Sequence, residues 1–468
     1  MTARRIKPLS FVLLVMIGTV CLLGNTACKK FLQIDPPIDR LKSDLVFTDD
    51  ALATAGITGL YSKMAYEQNA FSSYSFTLYP ALSADEMINT YVDAELTATY
   101  ENAIPATAIM PASTWTKGYQ YIYHTNACLT GLAGSKLLTT EVKQQLEGEM
   151  RFMRAFCYFY MVNFFGDVPL LLSTDFRLNN QHPRTSADKV YEQIITDLEL
   201  AVNNMSSAYV TNGRARPNKW TAAALLARVY LYRKEWEKAE QYASNIINSK
   251  LYQLVEDPGT IFANANSEAI WQLVYSVPNN LRETQYFIPA DLTTSPLIRL
   301  SDQLAGMMSD QDKRKLSWVG TVTLPTGDKQ YYVYKYKVKI PVINVSESIT
   351  VFRLAEQYLI RAEARLQQRN ISGAIEDIDV IRKRAGLPAV REIMPHATIT
   401  DLLALTARER NIELLAEWGH RWFDLKRTGS STAVLSAIKK DWQPADTLYP
   451  LPQDQLLMNS TLTQNPGY

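Results

Sequence analysis

Apolar residues recur at the spacing of an α-helix along most of this chain, with two long interruptions. Helical periodicity begins near Phe47 and runs to about residue 67, then returns over 114–134 and 141–165. Residues 186–205 read as a further partner helix. Between them, 71–113 is aromatic, polar and without a sustained period, so it is expected to be irregular. The 141–165 stretch is the most buried in character. Met150, Met153, Cys157, Tyr160 and Phe164 fall on one stripe, and Phe152, Phe156 and Phe159 cover the next. A helix apolar over so much of its circumference belongs inside a large core. Gly166 can take a left-handed turn at its end, and Pro169 forbids continuation. Arg151 and Arg154 on such a helix must find partners or snorkel to solvent.

Two later segments repeat each other. Leu225, Ala227, Leu231, Ala239 and Ile246 reappear as Ile360, Ala362, Leu366, Ala374 and Ile381, each displaced by 135 residues. Small residues twelve apart, on facing helices joined by a short turn, let the two helices pack closely. This is a tetratricopeptide-like pattern, in which each helix pair stacks on a neighbour to bury its face. Trp236 lies near the first turn and Gly373 near the second. From 251 to 349 the helical period fades under Pro258, Pro278, Pro289, Pro296, Pro325 and Pro341, and 331–340 alternates like a strand. Helices are expected again over 351–369, 372–384 and 399–417. The fold class is therefore mainly α, a tetratricopeptide-like helix-pair scaffold with an irregular, partly β insertion.

The amino terminus has a different character. Arg4, Arg5 and Lys7 precede an apolar run from Leu9 to Leu23, too short for a spanning helix and suited to a signal peptide over 1–27. Thr26 and Ala27 then precede Cys28, as in a lipobox, so Cys28 is the expected lipidation site; Asn25 departs from the usual leucine. Residues 28–45, with Pro36-Pro37, read as a tether from lipid to body. Removing 1–27 takes three of the 48 basic residues and none of the 47 acidic ones. The near balance offers nothing to nucleic acid, and none is expected as a partner. With 47% hydrophobic and 20% charged residues, the chain has an ordinary globular composition. Cys128 and Cys157 lie in apolar helical patterns. Export permits a disulfide between them, but two buried thiols are the expected state. None of His124, His182, His396 and His420 has metal-ligand spacing to another His or Cys, so no metal and no cofactor is expected.

Several segments together resemble the SusD/RagB family of outer-membrane nutrient-binding lipoproteins. They are Arg151-Phe-Met-Arg-Ala-Phe156 with Phe165-Gly-Asp-Val-Pro169; Arg353-Leu-Ala-Glu-Gln-Tyr-Leu359 with Arg361-Ala-Glu-Ala364 and Ile381-Arg-Lys-Arg-Ala-Gly386; Arg408-Glu-Arg410 through Glu417-Trp-Gly-His-Arg-Trp-Phe-Asp-Leu-Lys-Arg427; and the closing Tyr449-Pro-Leu-Pro452 and Gln464-Asn-Pro-Gly-Tyr468. The resemblance implies a helix-pair scaffold plus a variable region carrying the ligand site. It implies a protein lipid-anchored at the outer membrane and exposed at the cell surface. Its partners would be an oligosaccharide ligand, or a peptide in the RagB branch, and a SusC-like TonB-dependent transporter. The regions then divide as 46–250, N-terminal helical; 251–350, insertion; and 351–468, C-terminal helical.

Catalysis is the competing reading. Glu409, Glu413 and Glu417 recur four residues apart, which places all three on one face of the expected 399–417 helix, and Asp424 follows. A glycosidase needs two carboxylates about 5–10 Å apart across a sugar, whereas carboxylates on one helix face point the same way. Arg408, Arg410, Arg421 and Arg427 stand nearby in sequence, so a structural ion network is expected instead. No nucleophile motif or phosphate loop occurs. Aromatic residues offer more. Sugar rings pack flat C–H faces on aromatic planes, while amides, carboxylates and guanidinium groups bond the hydroxyls. Candidate contacts in 71–113 are Tyr74, Tyr79, Tyr91 and Tyr100 with Asp85, Glu86, Asn89 and Asn102. In the insertion they are Tyr286, Phe287 and Trp318 with Arg282. The expected ligand set is Asp85, Asn89, Tyr91, Tyr100, Asn102, Tyr286 and Trp318.

Overall fold

The aromatic helix takes the central position its composition requires. The computed structural model describes residues 45–67, 71–274, 281–339 and 346–468; the leader, Cys28 and the tether as far as residue 44 lie outside them. Helices α1 (Asp50–Tyr66), α2 (Ser73–Ser83), α3 (Ala94–Glu101) and α4 (Ile109–Gly134) lead to the central α5 (Thr140–Phe165). Phe152 and Phe156 meet the edge of Trp271 at 5.1 and 5.4 Å between centroids, and Tyr160 stacks on Phe76 at 4.3 Å. Gly166, at φ +71°, ends the helix. Both arginines find a partner on α6 (Ala187–Asn204). Arg154 grips Asp197 through Nε and Nη2 at 2.8 and 2.7 Å, and Arg151 adds a contact at 3.2 Å.

The array continues through α7 (Lys219–Tyr232) and α8 (Trp236–Asn248), and then α9 (Leu354–Gln367), α10 (Ile371–Arg384) and α11 (Ile399–Glu413). From α4 to α11 each helix packs on the next, so α8 meets α9 although 249–353 intervene. All ten repeat positions are buried. The turns repeat as well. Lys234 and Arg369, 135 positions apart, both adopt the left-handed region, at φ +60° and +63°. Glu235 N–H reaches back to the Tyr230 carbonyl at 2.9 Å, and Asn370 N–H to that of Arg365 at 2.8 Å. These bonds satisfy carbonyls that a helix end would otherwise leave unpaired. A Cβ on Gly373 would stand 2.9 Å from the side-chain nitrogen of Asn370, so a larger residue there would push the capping amide aside. After α11 the chain turns into α12 (His420–Thr428).

The excursion between α8 and α9 is where β structure gathers. Strands β1 (Met87–Asn89), β2 (Ala269–Leu273), β3 (Ile298–Leu300), β4 (Val319–Thr323), β5 (Lys329–Val333) and β6 (Ile349–Arg353) form two antiparallel sheets. One has the order β1-β3-β5-β4; the other pairs β2 with β6. Met87 faces Leu300 and Leu300 faces Tyr331, which ties the early segment to the excursion.

Four local expectations change. The 71–113 stretch is ordered, because Phe76, Leu78 and Leu82 are fully buried and packing overrides the weak helix propensity of Ser, Thr and Tyr. The alternating 331–340 stretch is a strand only as far as Val333, and Ile340 lies outside the described residues. Residues 351–353 are strand rather than helix, since Ile349–Arg353 is buried on both faces against β2. Helix α11 stops at Glu413, and Ala416, Trp418 and Gly419 take φ values of +50°, +47° and +71°. Glu417 therefore sits in a tight turn, off the helix face that carries Glu409 and Glu413.

Candidate functional site

The carboxylates that invite a catalytic reading are sealed inside. Glu413 is fully buried and meets Arg353 at 2.5 Å, Arg314 at 3.2 Å and Arg384. Glu417 meets Arg353 at 2.8 Å and Lys335 at 2.5 Å, while Glu409 meets Arg314 at 2.9 Å and Arg382 at 2.7 Å. Glu268 and Asp312 complete a set of five acids and five bases, all buried. Burial alone would raise the Glu413 carboxyl, but Arg384, Arg353 and Arg314 hold it well below the ordinary range. The ion network is present, but its bases come from afar. The nearby arginines serve other partners: Arg410 and Arg427 hold Asp424, Arg421 holds Asp85, and Arg408 bonds the Met307 carbonyl.

The aromatic candidates divide by burial. Tyr74 lies 5.4 Å from Tyr286 and 6.0 Å from Tyr79 between centroids, with the Arg282 guanidinium 5.1 Å from its ring. Burial raises the Tyr74 and Tyr79 hydroxyls above their usual range, and the Glu95 carboxylate raises Tyr79 further, so these phenols stay protonated. Tyr286 is half-buried. Beside the cluster the chain leaves β1 through Asn89 and Tyr91, the latter 43% exposed. Asn89 shapes that exit: its Oδ1 accepts from Tyr91 N–H at 3.0 Å, and its Nδ2 donates to Thr97 Oγ1 at 3.0 Å. Asp93 then caps α3 by accepting from Leu96 N–H at 2.9 Å. Asp93 and Glu95 were passed over in the sequence; an Asp two residues before a Glu at a helix start was the available signal.

Three expected contact residues are committed to the interior. Asp85 is buried in a two-pronged pair with Arg421 at 2.7 and 2.6 Å. Asn102 occupies the left-handed cap of α3 at φ +58° and donates to the Ser83 carbonyl at 3.2 Å. Trp318 has no exposed surface; its indole donates to the Pro258 carbonyl at 2.7 Å, and Lys335 covers its face at 4.2 Å. Phe287 is likewise core. Tyr100 is half-buried, and the Lys439 ammonium sits 3.6 Å from its ring centre. Cys128 and Cys157 are unpaired, and burial pushes the Cys128 thiol up to about 11.

The helix-pair scaffold thus locks these acids in ion pairs, and it leaves Tyr91 exposed and Tyr286 half-buried beside the β1-β3-β5-β4 sheet. The chain belongs to the SusD/RagB family. Residues 30–231 match the family profile described as "Starch-binding associating with outer membrane", and 311–468 match the SusD family profile. The chain is similar to SusD-like protein P25 of Formosa agariphila, 23% identical, with 94% of this chain and 97% of that protein covered. In fold it resembles a SusD superfamily protein from Bacteroides vulgatus, at TM-score 0.80 and 20% identity, covering 90% of this chain and all of that one. It also resembles a laminarin-binding SusD-like protein, at TM-score 0.74 and 24% identity over the same shares. Among the described residues no helix is long and apolar enough to cross a membrane.

The buried acids make opposite predictions. Glu413→Gln leaves buried guanidinium groups short of a counter-charge and is expected to cost about 3–5 kcal/mol. Because the folded pKa of Glu413 is depressed, its contribution is complete above the ordinary value of 4.5 and fades as pH falls towards the folded value. Glu86 is raised to about 8, by burial first and then by neighbouring Asp85, against the bond from Ala416 N–H. Its contribution is complete below 4.5 and is lost as pH rises towards 8. Glu86→Gln should therefore be tolerated at pH 7 and should flatten the alkaline decline. Urea unfolding from pH 4 to 9 checks both; equal costs for the two variants at pH 7 contradict the assignment.

Proposed function

We propose that this protein is a nutrient-binding lipoprotein, lipid-anchored at Cys28 and displayed on the outer-membrane surface. It captures an oligosaccharide and passes it to a SusC-like TonB-dependent transporter, without chemistry of its own. The observation that carries the reading is the pair of solvent-reaching tyrosines, Tyr91 and Tyr286, at the edge of the buried Tyr74–Tyr79 cluster, in a chain whose family profile is described as starch-binding. Tyr286 and Tyr91 supply planes for sugar C–H faces. One Asn89 amide hydrogen and the Asp93 carboxylate oxygen not used in capping remain for hydroxyls. A peptide ligand would call instead for a charged, extended groove.

Tyr286→Ala and Tyr91→Ala should each weaken glycan binding about tenfold, the loss of about 1.4 kcal/mol of ring contact. Trp318→Ala should instead cost about 3–5 kcal/mol of stability while folded molecules bind normally. Affinity electrophoresis through a panel of plant and algal glycans, with melting curves, separates these outcomes. A folded Trp318 variant that binds nothing, beside a Tyr286 variant that binds fully, would reverse the assignment.

The anchor rests on the Thr26-Ala27-Cys28 junction. Cys28→Ser is expected to move the protein out of the detergent phase on partitioning of whole cells. Equal partitioning of variant and wild type contradicts it.

A further inference from the structure

A second groove, of about 410 Å³, shares no residue with the tyrosine cluster. It lies between α4, the segment 169–180 and the short helix Gln453–Met458 near the carboxyl terminus. Its volume falls within the range of small-molecule sites, about 300–1,000 Å³. Its walls are tied together by hydrogen bonds between lining residues. Tyr119 donates to the Pro169 carbonyl at 2.8 Å, and Asn126 Nδ2 to that of Leu171 at 3.0 Å. Buried Arg154 fixes the other end of the Asn126 amide at 2.8 Å.

The chemistry of the groove is unusual in being neutral throughout: no lining residue carries a charge. Two large rings line the same groove and reach solvent, Phe176 at 74% and Tyr123 at 50% exposure. Asn180 and Gln455 also line the groove, and their side-chain amides make no hydrogen bond among the described residues. An anionic or cationic ligand would meet no counter-charge here. A purely apolar one would strip water from the free amides without replacing it, at a cost. A neutral ligand with both hydroxyls and flat apolar faces satisfies rings and amides together.

We propose that this groove is a second, independent oligosaccharide site, with Tyr123 and Phe176 as ring platforms and Asn180 and Gln455 as hydroxyl partners. It extends the capture function to a longer or second glycan segment, and it does not depend on the tyrosine cluster being correctly assigned. The test is calorimetric titration of the purified chain with neutral gluco-, manno-, xylo- and galacto-hexasaccharides. Tyr286→Ala protein should retain binding to at least one of them, and adding Phe176→Ala with Tyr123→Ala should weaken that residue of binding at least tenfold. Both rings are on the surface, so melting temperature should not move. Residual binding indifferent to the double change overturns the proposal, as does complete loss on Tyr286→Ala alone, which leaves the capture reading intact. A Phe176 and Tyr123 variant that binds sugar normally but no longer co-purifies with an outer-membrane transporter makes the groove a protein interface and also overturns it. If no form binds any hexasaccharide, both readings fail.

Discussion

Arg353 ends β6 with its guanidinium shut away from water, and all five of its N–H groups are used. Nε and Nη2 bond Glu417, Nη1 bonds Glu268 and Glu413, and the remaining Nη2 hydrogen meets the Glu413 carbonyl. Placing such a charge in the interior costs several kcal/mol unless every donor is met. That condition fixes the spacing between the start of β2, the end of β6 and the turn after α11. Lys335, following β5, joins through Glu417, and Arg314, preceding β4, joins through Glu413. The insertion, with Tyr286 in it, is thus bolted to the helix array by charges.

What the sequence made legible was whatever depends on local period. The repeat positions of the two helix pairs, the burial of the central helix and the need of Arg151 and Arg154 for a partner all follow from spacing and side-chain character. Long-range pairing was not legible. Glu413 and Glu417 have arginines close by in sequence, yet their bases come from positions 314, 335, 353 and 384, brought together by the sheet and α10. The same blindness misplaced three contact candidates. Asp85, Asn102 and Trp318 have the composition of a sugar site, but nothing local reveals that Arg421 waits for the first, a left-handed cap for the second and a carbonyl for the third. The 71–113 segment looked irregular because its helices rest on tertiary packing and not on propensity.

The two candidate surfaces obey one logic. Exposed rings mark both, while the acids of the Arg353 network are consumed in the interior. Glu413 is held ionised by three arginines, and Glu86 is held protonated by burial, so neither carboxyl is offered to solvent.

If the Arg353 network positions the insertion, hydrogen exchange on an Arg353→Met variant will reveal it. Amides of β2 and β6, and of the β1-β3-β5-β4 sheet, should exchange faster than in the wild type. Those of α4, α5 and α6, held by their own packing, should not change. An insertion that stays as protected as before, or a loss spread evenly over the helix array, would contradict the account.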